Sequence, residues 1–158
     1  MDGWTFTQGW AKTFALQTGS LHWDDPSRTL YIGFDTGRVV RLRISEENPM
    51  HYQELTELGV HTLRVNGILA NADTGSFTSI SDDGTLKVTD NATGSVVTEL
   101  RPSQGGLKSL IAFSHRNCMG ISDAKGNLHL FTKSGSPIEH IVTTTVESRS
   151  EIKGLALS

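Results

Sequence analysis

Three copies of one short pattern divide this chain at nearly even intervals. Each copy places a glycine after an aspartate-containing turn and before a run of β-branched and apolar residues. The glycines are Gly37, Gly84 and Gly126, so the spacings are 47 and 42 residues. A period of about 40 to 50 residues is typical of arrays in which each supersecondary unit packs on its neighbours. The repeat therefore constrains the chain to a series of similar units.

Each unit splits into short runs that favour strands, because they are rich in β-branched and aromatic residues. Asparagine, aspartate and glycine separate the runs and favour tight turns, since they accept local hydrogen bonds or tolerate positive φ. The predicted strands are 20–23, 29–34, 38–44 and about 54–58, then 64–70, 76–81, 85–90 and 95–100, then 108–113, 118–122, 127–132 and 137–142. Four strands joined by tight turns predict one antiparallel sheet per unit.

This organisation predicts an all-β chain: a segment of a β-propeller with about three four-stranded antiparallel blades and a partial fourth. We expect residues 1–158 to form a single segment with five parts. These are a partial outer hairpin (1–17), three blades (18–60, 61–102 and 103–144) and the inner strand of a partial blade (145–158).

Composition limits the class of protein. Of 158 residues, 36% are hydrophobic and 20% are charged, as in an ordinary globular domain. The net charge of −3 supplies no general basic face, which argues against nucleic-acid binding. Cys118 is the only cysteine, which favours a reducing compartment, and no apolar run approaches the length of a membrane span. We therefore expect an intracellular, cytoplasmic protein.

The second unit carries the most specific motif. Residues 81–90 are Ser-Asp-Asp-Gly-Thr-Leu-Lys-Val-Thr-Asp, with a Thr-Gly pair downstream. This resembles the WD repeat, whose third strand commonly ends in a Trp-Asp pair; here Thr89 takes the place of the tryptophan. His61 lies 22 residues before Asp83, near the family's Gly-His pair, with Val60 in place of the glycine. The resemblance implies a hydrogen-bonded tetrad, present in part in this unit and absent from the first and third.

The resemblance covers residues 18–157 through the spacing of its motifs. Within WD-repeat proteins, residues 31–40 and the Ile-Ser-Glu-Glu at 44–47 are similar to a blade of the WD-repeat and FYVE-domain adaptors. A FYVE cysteine cluster is incompatible with a single cysteine, so the phosphoinositide function of that family is not carried over.

Aspartates recur in the turns between second and third strands, at Asp35, Asp82, Asp83 and Asp123. Turn preference favours a structural role for them as turn and cap residues. The alternative is an acidic arc that faces a basic partner or a cation. Calcium requires six or more converging oxygens, and residues on separate blades are not expected to converge in that way.

Partner contacts are expected in the loops at the ends of the blades. The candidate partner-binding residues are Asp35, Thr36, Asp82, Asp83, Asp123, Lys125, Glu147 and Arg149. The last two belong to loop 143–150, whose charges can pair with a partner. The aromatic residues Trp4, Phe6, Trp10 and Phe14 either anchor a partner or pack a hairpin on the next blade.

Sequence motifs for catalysis or cofactor binding are missing. The six histidines include no pair at i, i+4, and there is no Gly-x-Ser-x-Gly elbow and no phosphate-loop pattern. We therefore expect no metal, no cofactor and no enzymatic activity.

The expected function is a protein–protein interaction scaffold that binds a partner or assembles a larger complex through propeller loops. One alternative is a structural subunit of a large ribonucleoprotein or ciliary assembly. Another is a propeller enzyme or carbohydrate binder that uses the central channel. The channel alternative needs ionisable residues on inner strands, where His22 and Lys153 are the main ones.

Three blades and one inner strand are fewer than the four or more blades of a closed ring. An open array exposes sheet edges and apolar faces. We therefore expect either a piece of a longer propeller or an array completed by self-association or by a partner, with strand 152–157 of one copy joining hairpin 4–16 of another. The second arrangement is favoured.

Overall fold

The structure is a computed structural model that describes residues 11–48, 51–113, 117–132 and 140–145. The described residues form thirteen strands in three antiparallel sheets, joined by tight turns and one 3-10 turn at Ala72–Thr74. In this part of the chain, no helix has the length and apolar character needed to cross a bilayer. The all-β prediction is confirmed.

The sheets follow one another along the chain, and the strands of each sheet are consecutive in the sequence. The first contains β1 (Thr18–Asp24), β2 (Thr29–Phe34), β3 (Arg38–Ile44), β4 (Tyr52–Glu54) and β5 (Leu58–Gly59). The second contains β6 (Val65–Asn71), β7 (Ser76–Ser81), β8 (Leu86–Asp90) and β9 (Val96–Leu100). The third contains β10 (Leu107–Phe113), β11 (Cys118–Asp123), β12 (Asn127–Thr132) and β13 (His140–Thr145). We call these sheets the first, second and third blades.

Two predicted strands differ clearly from the observed ones. The last strand of the first blade is divided, because β4 and β5 pair separately with β3 on either side of residues 55–57. The last strand of the third blade was predicted at 137–142 but is β13, which extends to Thr145; residues 137–139 lie outside the described residues. A register shift between Leu130 and Phe131 changes how β12 pairs with β13. The β-branched, Thr-rich residues 142–145 favour a strand and form the end of β13.

The core consists of apolar layers between neighbouring blades. One layer joins the first and second blades, and its buried residues are Tyr31, Val39, Val60, Val65, Ile68 and Phe77. The next joins the second and third blades through Ile80, Leu86, Val88, Leu107, Met119, Ile121 and Phe131. The blade faces that meet in these layers are therefore buried only because a neighbouring blade packs on them.

The other face of the first blade is covered by the segment before β1. Phe14 and Leu16 pack against the buried residues Ile32 and Phe34, and the rings of Phe14 and Phe34 are 5.1 Å apart in an edge-on arrangement. Phe14 thus packs on the first blade, but residues 11–17 form no strand, so the described part of the predicted hairpin is absent. Trp4, Phe6 and Trp10 lie outside the described residues.

The three repeat glycines end equivalent turns, as predicted. Gly37, Gly84 and Gly126 have φ values of 82°, 80° and 81°, a conformation that L side chains rarely adopt. Gly37 also lies against the loop between the first and second blades, since an added Cβ would be 2.1 Å from the carbonyl oxygen of His61. The amide of His61 donates to the Gly37 carbonyl at 2.9 Å, which links this turn to the loop.

We predict that Gly37→Ala destabilises the protein more than Gly75→Ala. Both glycines have positive φ, but an added Cβ at Gly75 meets nothing within 4 Å. Gly75→Ala therefore carries backbone strain alone, about 1–2 kcal/mol, whereas Gly37→Ala adds a clash with backbone. Urea denaturation of both variants measures the difference, and equal losses would contradict the contact between this turn and the loop.

Candidate functional site

The β2–β3, β7–β8 and β11–β12 turns lie at the same end of the blades, which we call the turn end. In each turn, one amide donates an equivalent hydrogen bond to a carbonyl of the segment before the inner strand: Asp35 N to Gln17 O (3.0 Å), Asp82 N to Arg64 O (3.0 Å) and Ala124 N to Gly106 O (2.8 Å). The aspartates occupy three positions within the turns: Asp35 and Asp82 lie two residues before the glycine, Asp83 lies one residue before it and Asp123 three residues before it. Equivalent backbone therefore carries carboxylates that point to different partners.

Asp83 is bound to the loop that connects the first blade to the second. Its Oδ2 is 3.1 Å from His61 Nδ1 and accepts from the Thr62 amide at 3.1 Å, while Oδ1 accepts from the Thr85 amide at 2.9 Å. His61 Nε2 is 2.9 Å from Ser79 Oγ. The imidazole thus joins the turn, the loop and strand β7.

The charges at this site are well defined. Burial lowers the pKa of His61, and the attraction of Asp83 opposes this only in part, so the imidazole is neutral at pH 7. Because a carboxylate only accepts, His61 Nδ1–H donates to Asp83, and Nε2 accepts from the Ser79 hydroxyl. Burial alone would raise the pKa of Asp83, but hydrogen bonds from Thr85 and Thr62 outweigh it and lower the pKa to about 2.

The tetrad implied by the WD-repeat resemblance is present in part, as expected. His61, Ser79 and Asp83 form three of its members. Thr89 stands where the tryptophan would be, and its buried Oγ1 has no hydrogen-bond partner among the described residues. The histidine is held from both sides and therefore has the geometry of a structural link.

The third blade has a buried carboxylate network that sequence reasoning missed. Asp123, with no exposed surface, accepts from Ser103 Oγ at 2.6 Å and from Asn127 Nδ2 at 2.9 Å, and His129 Nε2 lies 3.3 Å away. These hydrogen bonds lower its pKa although burial opposes them. The available signal was Ser103, which follows His61 by 42 residues, the same interval as between two repeat glycines. The carboxylate itself has moved to another turn position.

Asp82 points toward the inner strands instead. Its Oδ1 accepts from Asn66 Nδ2 and from Lys108 Nζ, each at 2.7 Å. Asn66 also donates to the carbonyl of Leu107 at 2.7 Å. Asn66 and Lys108 lie at the register shifts of β6 and β10, so the carboxylate connects the first strands of the second and third blades.

The remaining predicted partner-binding residues are either exposed or outside the described residues. Asp35, Thr36 and Lys125 are exposed at the turn end. Glu147 and Arg149 lie outside the described residues. The four aspartates do not form a common exposed arc, since Asp123 is buried and the carboxylates of Asp82 and Asp83 are bound within the protein. Partner binding by these residues stays a prediction.

Metal-ligating side chains are dispersed. Within the described residues, no group of three or more histidines, cysteines, aspartates or glutamates is placed to hold a metal ion.

No protein-family model and no curated protein sequence matches this chain. Solved structures do match it. A chain in the crystal structure of a mitotic checkpoint complex has a TM-score of 0.74 at 16% identity over 92% of this chain and 42% of that chain. The computationally designed Ika8 protein gives 0.69 at 19% identity, over 89% and 40%. The designed Ika4 protein gives 0.71 at 19% identity, over 93% and 83%.

The fold is propeller-like. The three consecutive antiparallel blades and the matched structures agree on this point, and at such identities the likeness concerns the fold alone. The chain spans about two fifths of the checkpoint-complex chain and of Ika8.

We predict that Asp83→Ala lowers the free energy of unfolding by about 0.5–2 kcal/mol at pH 7, because His61 and the Thr62 amide lose a buried acceptor. The matched control is Asp35→Ala, at an exposed turn position, with an effect within about 0.5 kcal/mol. Chemical denaturation of both variants measures the contrast, and equal effects would contradict the structural role.

The same network predicts how stability depends on pH. The pKa of Asp83 falls from 3.8 to about 2 on folding, so its contribution is complete above pH 4 and is lost as the pH falls toward 2. The lowered pKa of His61 means that the unfolded chain binds this proton first, which removes further stability below about pH 6.5. Asp83→Ala should lose the part of the acid dependence between pH 4 and 2, as measured by denaturation at each pH.

Proposed function

We propose that this chain is a non-catalytic interaction module that binds a protein partner through exposed side chains at the turn end. The observation that carries the proposal is that each of these turns has both internally bonded and solvent-exposed residues. Buried carboxylates hold the turns to the loops, while neighbouring positions remain in solvent. The exposed residues are Asp35, Thr36, Thr62, Leu63, Arg101 and Lys125.

This surface combines charge with an apolar centre. Leu63 is 51% exposed, and its carbonyl lies against the first turn, next to Gly37. Arg101 Nη1 donates to the Asp83 carbonyl at 2.6 Å, so its exposed side chain is held in place. A rigid surface loses little entropy when it binds, and an apolar residue surrounded by polar ones suits a protein interface.

One of the matched structures is consistent with this class of function. It is a component of a mitotic checkpoint complex, a protein assembly. An intracellular site of action forms part of the proposal and is supported by the presence of a single cysteine, Cys118, in the sequence.

We predict that the combined variant Asp35→Ala, Thr36→Ala, Lys125→Ala loses its partners. In co-purification followed by mass spectrometry, it should recover at least about tenfold less of the proteins that wild type enriches, since each loss removes a contact at one surface. The matched control is Asp73→Ala, exposed in the β6–β7 turn at the opposite end. Equal recovery by all three proteins, or no enrichment by wild type, would overturn the proposal.

We further propose that self-association or a partner completes the blade array. Ile111, Gly120, Leu130 and Val142 form a row across the third blade, because they are paired in register through all four strands. This row lies on the face opposite Met119 and Phe131, which pack toward the second blade. Val142 is 44% exposed, and another blade is the natural cover for such a row.

Light scattering on purified protein tests this completion. The expected result at micromolar concentration is a mass of at least two chains, or a monomer that does not unfold cooperatively. A stable monomer with cooperative unfolding and no bound partner would contradict it.

A further inference from the structure

A cleft of about 560 Å3 opens between the first and second blades, at the end opposite the turn end. Its lining includes Tyr31, Arg41, Arg43, Gln53 and Asn91. Both arginines belong to β3 and lie two residues apart, so they share one face of the blade. Gln53 pairs directly with Arg43, and Asn91 closes the cleft from the second blade. We call this the arginine cleft.

Arg41 is charged yet almost completely buried, with 6% of its surface exposed. Its Nη1 donates to the Asn91 carbonyl at 2.8 Å and to Asn91 Oδ1 at 3.0 Å, which are both neutral oxygens. Its Nε is enclosed without an acceptor among the described residues. A buried guanidinium held only by neutral groups retains a strong requirement for an anion.

The nearby carboxylates do not meet this requirement. Glu54 lines the cleft but forms an ion pair with Lys12. Asp90 accepts hydrogen bonds from the Ala92 and Thr93 amides in its own turn. In the described part of the chain, neither carboxylate forms an ion pair with Arg41 or Arg43.

Arg43 adds a second positive charge at an accessible position. Its side chain is exposed and has no ion-pair partner among the described residues. Burial lowers the pKa of Arg41 and the charge of Arg43 acts in the same direction, while Tyr31 and the more distant charge of Asp90 oppose them only in part. Two guanidinium groups on one face therefore repel each other unless an anion lies between them.

We propose that the arginine cleft binds a carboxylate of an acidic peptide segment from a protein partner, held between Arg41 and Arg43. The cleft is large enough for an amino-acid side chain, and Tyr31 and Leu55 supply apolar walls for its methylene groups. With Glu54 paired to Lys12, Arg41 and Arg43 present two positive charges, which neighbouring carboxylates of one acidic segment can match. The inference adds a second surface to the proposed interaction function and rests on it.

The test uses purified full-length protein and three probes: an acetylated, amidated hexaglutamate peptide, the matching hexaglutamine peptide, and inorganic phosphate. Amide chemical shifts in NMR report binding at the cleft. Hexaglutamate should bind saturably with a Kd at or below about 1 mM and should shift the Leu55 and Asn91 amides. Hexaglutamine should not bind, and phosphate should bind more weakly than hexaglutamate.

Two variants locate the site. Arg43→Gln should weaken hexaglutamate binding at least about fivefold and should fold normally, because the side chain is exposed. The matched control is Arg38→Gln, at the other end of β3, where Arg38 pairs with Glu57 at 2.7 Å; it should bind like wild type. Equal effects of both variants, equal binding of the two peptides, or tighter binding of phosphate would each overturn the proposal.

The turn-end variant separates this inference from the function on which it rests. Asp35→Ala, Thr36→Ala, Lys125→Ala should bind hexaglutamate like wild type while it loses its cellular partners. If the turn end fails as a partner surface, hexaglutamate binding at the cleft is still measured directly. If hexaglutamate fails to bind, partner recovery through the turn end is unaffected.

Discussion

In the second and third blades, a buried carboxylate at the turn end links the blade to the loop before it, and the packing of the array depends on this link. Asp83 accepts from His61 and the Thr62 amide, and Asp123 accepts from Ser103. A carboxylate inside a protein is stable only when hydrogen bonds replace its water. The loop must therefore hold its position for the turn to form, and the turn must form for the loop to be held.

The second and third blades solve the same problem with different residues. In the second blade the loop provides a histidine; in the third blade the loop provides Ser103, and His129 comes from strand β12. In both cases, the loop that enters the blade lies over the glycine turn of the preceding blade. An added Cβ at Gly84 would be 2.9 Å from the Ser103 carbonyl, just as Gly37 lies under His61. Packing of backbone on backbone sets the geometry, and several side-chain networks fit within it.

Local features of this fold could be predicted from the sequence, and features that depend on distant residues could not. The glycine turns followed from residue type alone, because positive φ selects glycine. The shifted β13 did not, because a bulge opposite Leu130 changes the pairing. The partial tetrad followed from the spacing of His61 and Asp83, whereas the Asp123 network has no fixed spacing in a known motif. The burial of Asp123 could not be predicted either, because the sequence indicates only a turn at this position. The next two turn residues, Ala124 and Lys125, are in fact exposed.

Turn amides satisfy carboxylates at both ends of the blades, including Asp90 at the cleft end. The buried guanidinium of Arg41, in contrast, has no anionic partner in the described part of the chain, and this difference has a physical origin. At the turn end, main-chain amides point into tight turns and satisfy carboxylates such as Asp83 within the protein. At the opposite end, Arg41 crosses to the second blade and finds only the oxygens of Asn91. Turns present backbone amides that donate hydrogen bonds to carboxylates, but a guanidinium needs an anionic partner that turn backbone does not supply. An unmatched cation between blades is thus a more specific sign of an external ligand than the acidic turns are.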